Sequence, residues 1–291
     1  MEEQSVTERI LKSIVHVDSQ IVNSIGLCGE RYRLEHVLNR RPVAKAEALE
    51  RGAVMHTMMA HYYRGRKEGR TAPETHAALV EEAIMLGREE AAVAAFDLSN
   101  FEAEDLQTFK DNILHHQYDG WEILNVEEPF TKLLYDSDDL QILYEGIVDL
   151  EIKDAHGEKA VVDHKTEARQ SHPFELSNQF QGYQWAFDSS IIVNKIGFQK
   201  TLSPKEKFRR LHFPYKQALI DEWKRDVVDH VRTAIKWHKT GYFPRNRTSC
   251  DKYSGCIFQR VCKEEPEVRD YRLNEFYIQT EPWDVFTRDN V

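Results

Sequence analysis

The sequence predicts an α/β fold: a mixed central β-sheet flanked by helices, with a helical insertion ahead of the sheet and cysteine-bearing segments at both ends. Three observations predict it. The front of the chain carries apolar residues at three- and four-residue intervals among good helix formers; three β-rich runs follow from Trp121; and behind them a helix, a further strand and a long helix complete the order expected of a sheet packed between helices.

Residues 1–45 form an N-terminal segment, read as a helix followed by "GLCGERYRLEHVL" with a second short helix, ending at "NRRP". Residues 46–120 read as helical almost throughout, since "AKAEALERGAVMHTMMAHYYRG" and "ETHAALVEEAIMLGREEAAVAAF" are rich in residues that lose little side-chain freedom in a helix. The core spans residues 121–245. "WEILNVEEPFTKLLY", "LQILYEGIVDLEIK" and "KAVVDHKT" read as strands. "DAHG" joins the second to the third, with Gly157 where a type I turn is followed by a residue at positive φ, so these two strands are neighbours in a hairpin. A helix over "FELSNQFQGYQWAFDSS", a strand near "IIVNKIGFQKTL", a basic turn and the long helix "YKQALIDEWKRDVVDHVRTAIKWHKTG" follow. Residues 246–291 hold three more cysteines and a tail.

With 291 residues, 41% of them hydrophobic, the chain can bury a large core. No run approaches the roughly 18 apolar residues of a membrane span. The opening "MEEQSVTERILKSIVHV" is acidic and amphipathic, where a secretion signal is basic and then apolar, so a cytoplasmic protein without a membrane partner is expected. The net charge of −10 excludes a surface that is basic overall, and a nucleic-acid partner has to find its cations locally.

Four cysteines in a reducing compartment point away from a disulfide framework. Cys250, Cys256 and Cys262 stand at even separations in "CDKYSGCIFQRVC", while Cys28 lies far upstream. Four thiolates saturate an iron–sulfur cluster or a structural zinc ion; unrelated buried thiols are the plainer alternative.

In "YEGIVDLEIKDAHGEKAVVDHKTEA" the alternation of a strand puts Asp163 and Lys165 on one face and Val162 and His164 on the other. Asp149 can face the first pair from the neighbouring strand, and Gly146 marks a bulge or a close backbone approach. Two carboxylates and a lysine converging at a sheet edge suit divalent-metal hydrolysis of a phosphodiester. Mg²⁺ or Mn²⁺ takes oxygen ligands and keeps several waters, so Asp149, Asp163 and the backbone carbonyl of His164 suffice as protein ligands. The Lys165 ammonium can position the nucleophile or stabilise the developing oxyanion. Read alone, Asp163 and Lys165 also make an ordinary ion pair on one strand face.

"GIVDL", then "VVDHKT", then "QFQGYQWA" resembles the RecB-type branch of the PD-(D/E)XK nucleases, whose motifs are a G-x-x-D strand, a (D/E)-x-K strand and a helical Q-x-x-x-Y. That resemblance implies a restriction-endonuclease-like core. It makes Asp149, Asp163 and Lys165 the catalytic group and adds Gln179 and Tyr183, which share one helix face and can reach metal-bound water or a DNA phosphate. "GAVMH" resembles the family's G-x-x-x-H motif and nominates His56 as a metal ligand or acid–base group, His61 being the weaker candidate. Glu127 in "VEEPF" matches a family glutamate and is assigned a supporting role. One cysteine before the core and three after it resemble the iron–sulfur nucleases of the superfamily, the AddB-type recombination nucleases and the RecB-like exonucleases of CRISPR adaptation. That implies a [4Fe-4S] cluster on Cys28, Cys250, Cys256 and Cys262, although C-x5-C-x5-C departs from the commonest C-x2-C-x5-C spacing and leaves zinc as the alternative.

The function implied is a metal-dependent DNA exonuclease acting on single strands or ends, with a 5′-to-3′ polarity taken from the resemblance alone. A DNA-end-binding subunit serving a helicase or integrase partner, and a structure-selective endonuclease, are the other readings. "KIGFQKTLSPKEKFRRLHFPYK" gathers Lys195, Lys200, Lys205, Lys207, Arg209, Arg210 and Lys216 among Phe198, Phe208, Phe213 and Tyr215. It reads either as a single-strand channel or as a solvated face over core aromatics.

Overall fold

The computed structural model describes residues 12–43, 47–93, 101–167, 174–199, 201–251 and 255–282. The front half contains β1 (Ser13–Val17), α1 (Ser19–Leu27), α2 (Gly29–Tyr32) running on as a π-helical turn (Arg33–Val37), β2 (Arg40–Pro42), α3 (Glu47–Lys67), α4 (Pro73–Val93) and α5 (Leu106–His115). The sheet then follows as β3 (Glu122–Asp136), β4 (Leu140–Lys153), β5 (Lys159–Glu167), α6 (Asn178–Phe187), β6 (Ser190–Gly197), α7 (Pro204–Lys207) and β7 (Phe208–Phe213). Last come α8 (Gln217–Thr240), α9 (Gln259–Cys262), α10 (Arg269–Phe276) and β8 (Tyr277–Gln279).

Two expectations are corrected. The segment before Cys28 is not simply helical: Ser13–Val17 is a strand parallel to the start of β4, from Ser13 opposite Leu140 to Val17 opposite Tyr144. Ile14, Val15 and Val17 are β-branched, and a long-range partner decides the conformation of so short a run. The expected basic turn is α7 followed by β7, which pairs antiparallel with β6 from Ile191–Phe213 to Ile196–Phe208. By contrast, the β4–β5 hairpin forms with Gly157 at φ 83°, as the turn chemistry requires.

The six-stranded sheet is mixed, in the order β1–β4–β5–β6–β7 with β3 on the other edge of β4. Helices cover both faces. Val54, Met58, Tyr62 and Phe109 of α3 and α5 pack on Leu150, Val162 and Ile192, and Phe180, Trp223 and Val227 of α6 and α8 pack on Tyr144, Val161 and Val193. Each such fully buried aliphatic side chain contributes about 1.5–3 kcal/mol, so β4, β5 and β6 are fixed from both sides. A smaller core of Leu34, Phe258, Val261, Leu273 and Tyr277 joins the two ends of the chain, where β2 pairs with β8.

Candidate active site

The site forms where two central strands part. β4 and β5 are ladder partners from Lys153–Lys159 to Leu150–Val162 and no further, while β5 continues beside β6 to Glu167. The fork therefore lies inside the sheet, whereas the sequence had suggested a sheet edge. Beyond the last pair, the His164 backbone N–H has lost its partner strand, and the Asp149 carboxylate accepts it at 2.7 Å. Because the N–H and C=O of one strand residue point to the same side, the His164 carbonyl faces this gap too.

Asp163 and Lys165 share the α6 face of β5, with Lys165 Nζ 2.7 Å from Asp163 Oδ2. From α6, Gln179 Nε2 donates to Asp163 Oδ1 at 3.0 Å and to Tyr183 Oη at 3.0 Å. Tyr183 Oη in turn donates to the Ile147 carbonyl at 2.7 Å, two residues before Asp149. Gly146 allows this packing, since a Cβ there would come within 3.1 Å of the Phe130 ring and 3.6 Å of Tyr183. The close approach read from the motif is therefore present.

His56 arrives from α3, whose Gly52 lies so near β5 that a Cβ would stand 3.3 Å from Thr166 Oγ1. Its Nδ1 is 3.3 Å from Asp149 Oδ2. His56, Glu127 and Asp149 offer ligand atoms that all fall within 4.8 Å of one another. Glu127 is brought there by the β3–β4 ladder, in which Val126 pairs with Leu150 and Glu128 with Val148, and by its own left-handed backbone at φ 51°. The sequence had given it only a supporting role. His61 points elsewhere and pairs with Glu82 at 3.3 Å.

Burial sets the electrostatics. Asp149 and Asp163 are 8% and 1% exposed. Desolvation opposes charge on both, but His56, His164 and Lys165 hold Asp149 below the usual carboxylate range. Asp163 is raised to about 6, by desolvation first and then by Asp149, against the pull of Lys165. Desolvation also disfavours charge on His56, yet Asp149 and then Asp163 outweigh it and raise the imidazole to about 9. Lys165 likewise overcomes desolvation through Asp163 and Asp149 and is raised. Burial, helped by the nearby positive charges of His56, Arg210 and Lys165 and opposed by Asp149, pushes His164 down to about 3. Its ring points away from the acids and stacks on Tyr63 at 5.6 Å.

Four cysteines line one cavity of about 450 Å³ together with Arg31, Arg245, Arg247 and Arg269. Its walls join both ends of the chain. The Asn246 N–H donates to Cys28 Sγ at 3.4 Å, the Glu30 N–H to the Pro244 carbonyl at 3.2 Å and the Cys256 N–H to the Cys250 carbonyl at 2.7 Å. Burial raises Cys256 and pushes Cys262 to about 11. Among the described residues, no three of these sulfurs come within 4.8 Å of one another.

Of the two readings of the basic stretch, the single-strand channel loses two of its cations and several of its aromatics. Lys195 is buried and paired with Glu167 at 2.7 Å, and Arg210 is held by Asp119 at 3.1 Å over Trp121. Phe208 belongs to the core, Phe213 stacks on Phe180 and on Tyr215, and Phe198 lies under Arg51. These positions had to hold the sheet together and satisfied their charges internally. Lys205, Arg209 and Lys216 are exposed and Lys207 is half-buried; Lys200 lies outside the described residues.

A mixed sheet that opens around two acids and a lysine, with helices on both faces, is a restriction-endonuclease-like fold. The model of the PD-(D/E)XK nuclease superfamily matches residues 21–263, and the chain belongs to that superfamily. Membership makes it a nuclease, a hydrolase of nucleic acid that works with divalent metal. No curated protein matches the chain. Among solved structures, the one titled "Crystal structure of SSO0001" is similar at 13% identity over 63% of this chain and 77% of that one, with a TM-score of 0.29, an overlap too loose to carry an argument. Among the described residues, no helix is long and apolar enough to cross a membrane.

Proposed function

We propose that the protein is a metal-dependent deoxyribonuclease that removes nucleotides from single strands or DNA ends, fastened by an iron–sulfur cluster in the four-cysteine cavity. The observation that carries the catalytic part is the fork: Asp149, Asp163, Lys165 and His56 come from three elements and interact at one point. His56, Glu127 and Asp149 lie close enough to share an ion, and Asp163 and the His164 carbonyl complete the donor set. A bound Mg²⁺ or Mn²⁺ lowers the pKa of a coordinated water and neutralises charge on the phosphate. Lys165, fixed by Asp163, orients the attacking water and takes up negative charge as the leaving oxygen departs. Gln179 holds Asp163, and Tyr183, through Ile147, holds the strand that carries Asp149. Both act by positioning carboxylates.

The cysteine cavity fits a bulky cofactor better than zinc. Tetrahedral zinc with bonds of about 2.3 Å needs all four sulfurs about 3.8 Å apart, and among the described residues no three of these thiols gather within 4.8 Å. A cluster there closes a loop around the whole nuclease core, which limits the unfolded chain. Exonuclease action and 5′-to-3′ polarity are supported by the motif resemblance.

Wild type and Lys165→Ala, each with Mn²⁺, are to be compared on end-labelled linear and on circular single-stranded DNA. Only wild type should degrade the linear strand, from one end, and the circle should survive. Cutting of the circle would indicate an endonuclease. Equal, negligible cleavage by both proteins would indicate an end-binding subunit for a helicase or integrase.

A further inference from the structure

On the sheet face turned away from Asp163 lies a buried polar group that the proposed reaction does not use. His164 and Asn194, 2% and 0% exposed, are register partners on β5 and β6, and the Asn194 amide nitrogen meets His164 Nδ1 at 3.0 Å. An amide nitrogen only donates, so the neutral ring carries its proton on Nε2. That atom has no hydrogen-bond partner among the described residues, nor have Asn194 Oδ1, both amide atoms of Asn112, His116 Nε2 and Arg210 Nε.

These atoms belong to one neighbourhood. Arg210 pairs with Asn194 across β6 and β7. His116 stands one turn after Asn112, its N–H donating to the Asn112 carbonyl at 3.1 Å, and the His116 ring lies within electrostatic reach of Arg210 and His164. Tyr63 closes one side by stacking on His164, and Trp121 closes another beneath Arg210.

Buried polar atoms in native proteins are satisfied by protein or by ordered water. The set here offers donors (His164 Nε2, the Asn112 amide and Arg210 Nε), acceptors (Asn194 Oδ1 and Asn112 Oδ1) and one atom, His116 Nε2, that takes either part. A cation or an anion would leave half of them unsatisfied, whereas about two waters making three bonds each satisfy all six. We propose that Asn112, His116, His164, Asn194 and Arg210 enclose a pocket of ordered water, and that this pocket positions His164 so that its backbone N–H holds Asp149. The first part stands without the metal-site reading; the positioning role rests on it.

Asn112→Leu and His116→Leu test the water, since both remove polar atoms at similar volume. In a hydrated pocket they strand the bound waters and the melting temperature falls. In a dry one they delete unsatisfied atoms and it rises, which overturns the pocket. A crystal structure of the wild type gives a second measurement, and absence of ordered water at His164 Nε2 has the same consequence. The positioning role is tested with Asn194→Leu through Mn²⁺ affinity without DNA, read by electron paramagnetic resonance. A loss of about 10- to 100-fold is expected, as for other groups that orient metal ligands, with Asn194→Ser restoring most of it. Unchanged affinity in folded Asn194→Leu overturns the positioning role. A wild type that binds no Mn²⁺ refutes the metal site instead and leaves the water result standing.

Discussion

With His56 as a ligand, as proposed, metal uptake at the fork displaces a proton from its ring, and that makes affinity depend on pH in a calculable way. His56 is raised to about 9 by Asp149 and Asp163 against the opposing effect of burial. At pH 7 only about one molecule in a hundred carries the neutral imidazole a metal needs, a handicap of about 2.7 kcal/mol from two pH units at about 1.36 kcal/mol each. Mn²⁺ affinity should therefore rise about tenfold per pH unit between 7 and 8.5. Working above pH 7 keeps Asp163, raised to about 6, ionised throughout. The same pair affects folding with the opposite trend. A raised imidazole contributes stability that is complete below pH 6.5 and is lost as pH climbs through about 9, so Mn²⁺ should stabilise the protein more at pH 8.5 than at pH 7. Resonance titrations under argon give the affinities, and calorimetry in buffers of different protonation heat counts close to one proton released per ion at pH 7. A flat pH profile with no proton release would falsify His56 as a ligand, and His56→Asn should reproduce that flatness.

Three further outcomes follow from particular contacts. Glu127→Gln should weaken Mn²⁺ binding more than about tenfold with little change in melting temperature, because it would alter a proposed ligand at nearly constant shape; equal affinity would return Glu127 to a supporting role. Lys195→Met should destabilise the fold by about 3–5 kcal/mol by leaving Glu167 charged and alone, whereas Glu167→Leu with Lys195→Met should come close to neutral. Denaturant titration of the single and double variants decides, and an additive double loss would refute the buried-pair account. Cys28→Ser should remove the iron and its visible absorption from anaerobically purified protein and lower the melting temperature; a colourless wild type loaded with zinc would overturn the cluster.

Much of this was legible in the chain because strand alternation and turn chemistry are local. The β4–β5 hairpin, the shared face of Asp163 and Lys165, and the pairing of Gln179 with Tyr183 follow from periods of 2 and 3.6 residues. What was not legible depended on register or on distant partners. The irregularity in the β3–β4 ladder between Leu133 and Tyr135 shifts the pairing by one residue, so counting from the hairpin turn would have placed Glu128, not Glu127, opposite Asp149. The basic stretch misled for a related reason. Lys195 and Arg210 look like surface charges until β6 and β7 bring them beside Glu167 and Asp119. β1 was missed because five residues become a strand only when β4 is there to receive them.

The thiol site and the fork are joined by a continuous piece of structure. Cys28 follows α1 directly, its N–H donating to the Ser24 carbonyl at 3.0 Å. On the same helix Asn23 Oδ1 accepts from Asn178 Nδ2 at 2.7 Å, at the first residue of α6. The Asn178 Oδ1 is fixed from the other side by Trp223 Nε1 of α8 at 3.0 Å, and the next residue is Gln179, which holds Asp163. At its other end α1 is preceded by β1, which pairs with β4 up to Tyr144, and His16 meets Glu145 at 3.0 Å, four residues before Asp149. A cofactor that fixes Cys28 against the C-terminal segment thus braces the supports of both carboxylates at once. Two acids this deeply buried can share an ion only if neither can move away from the other, so a fastener far from the chemistry can govern cleavage by rigidity alone, with no electron passing through it.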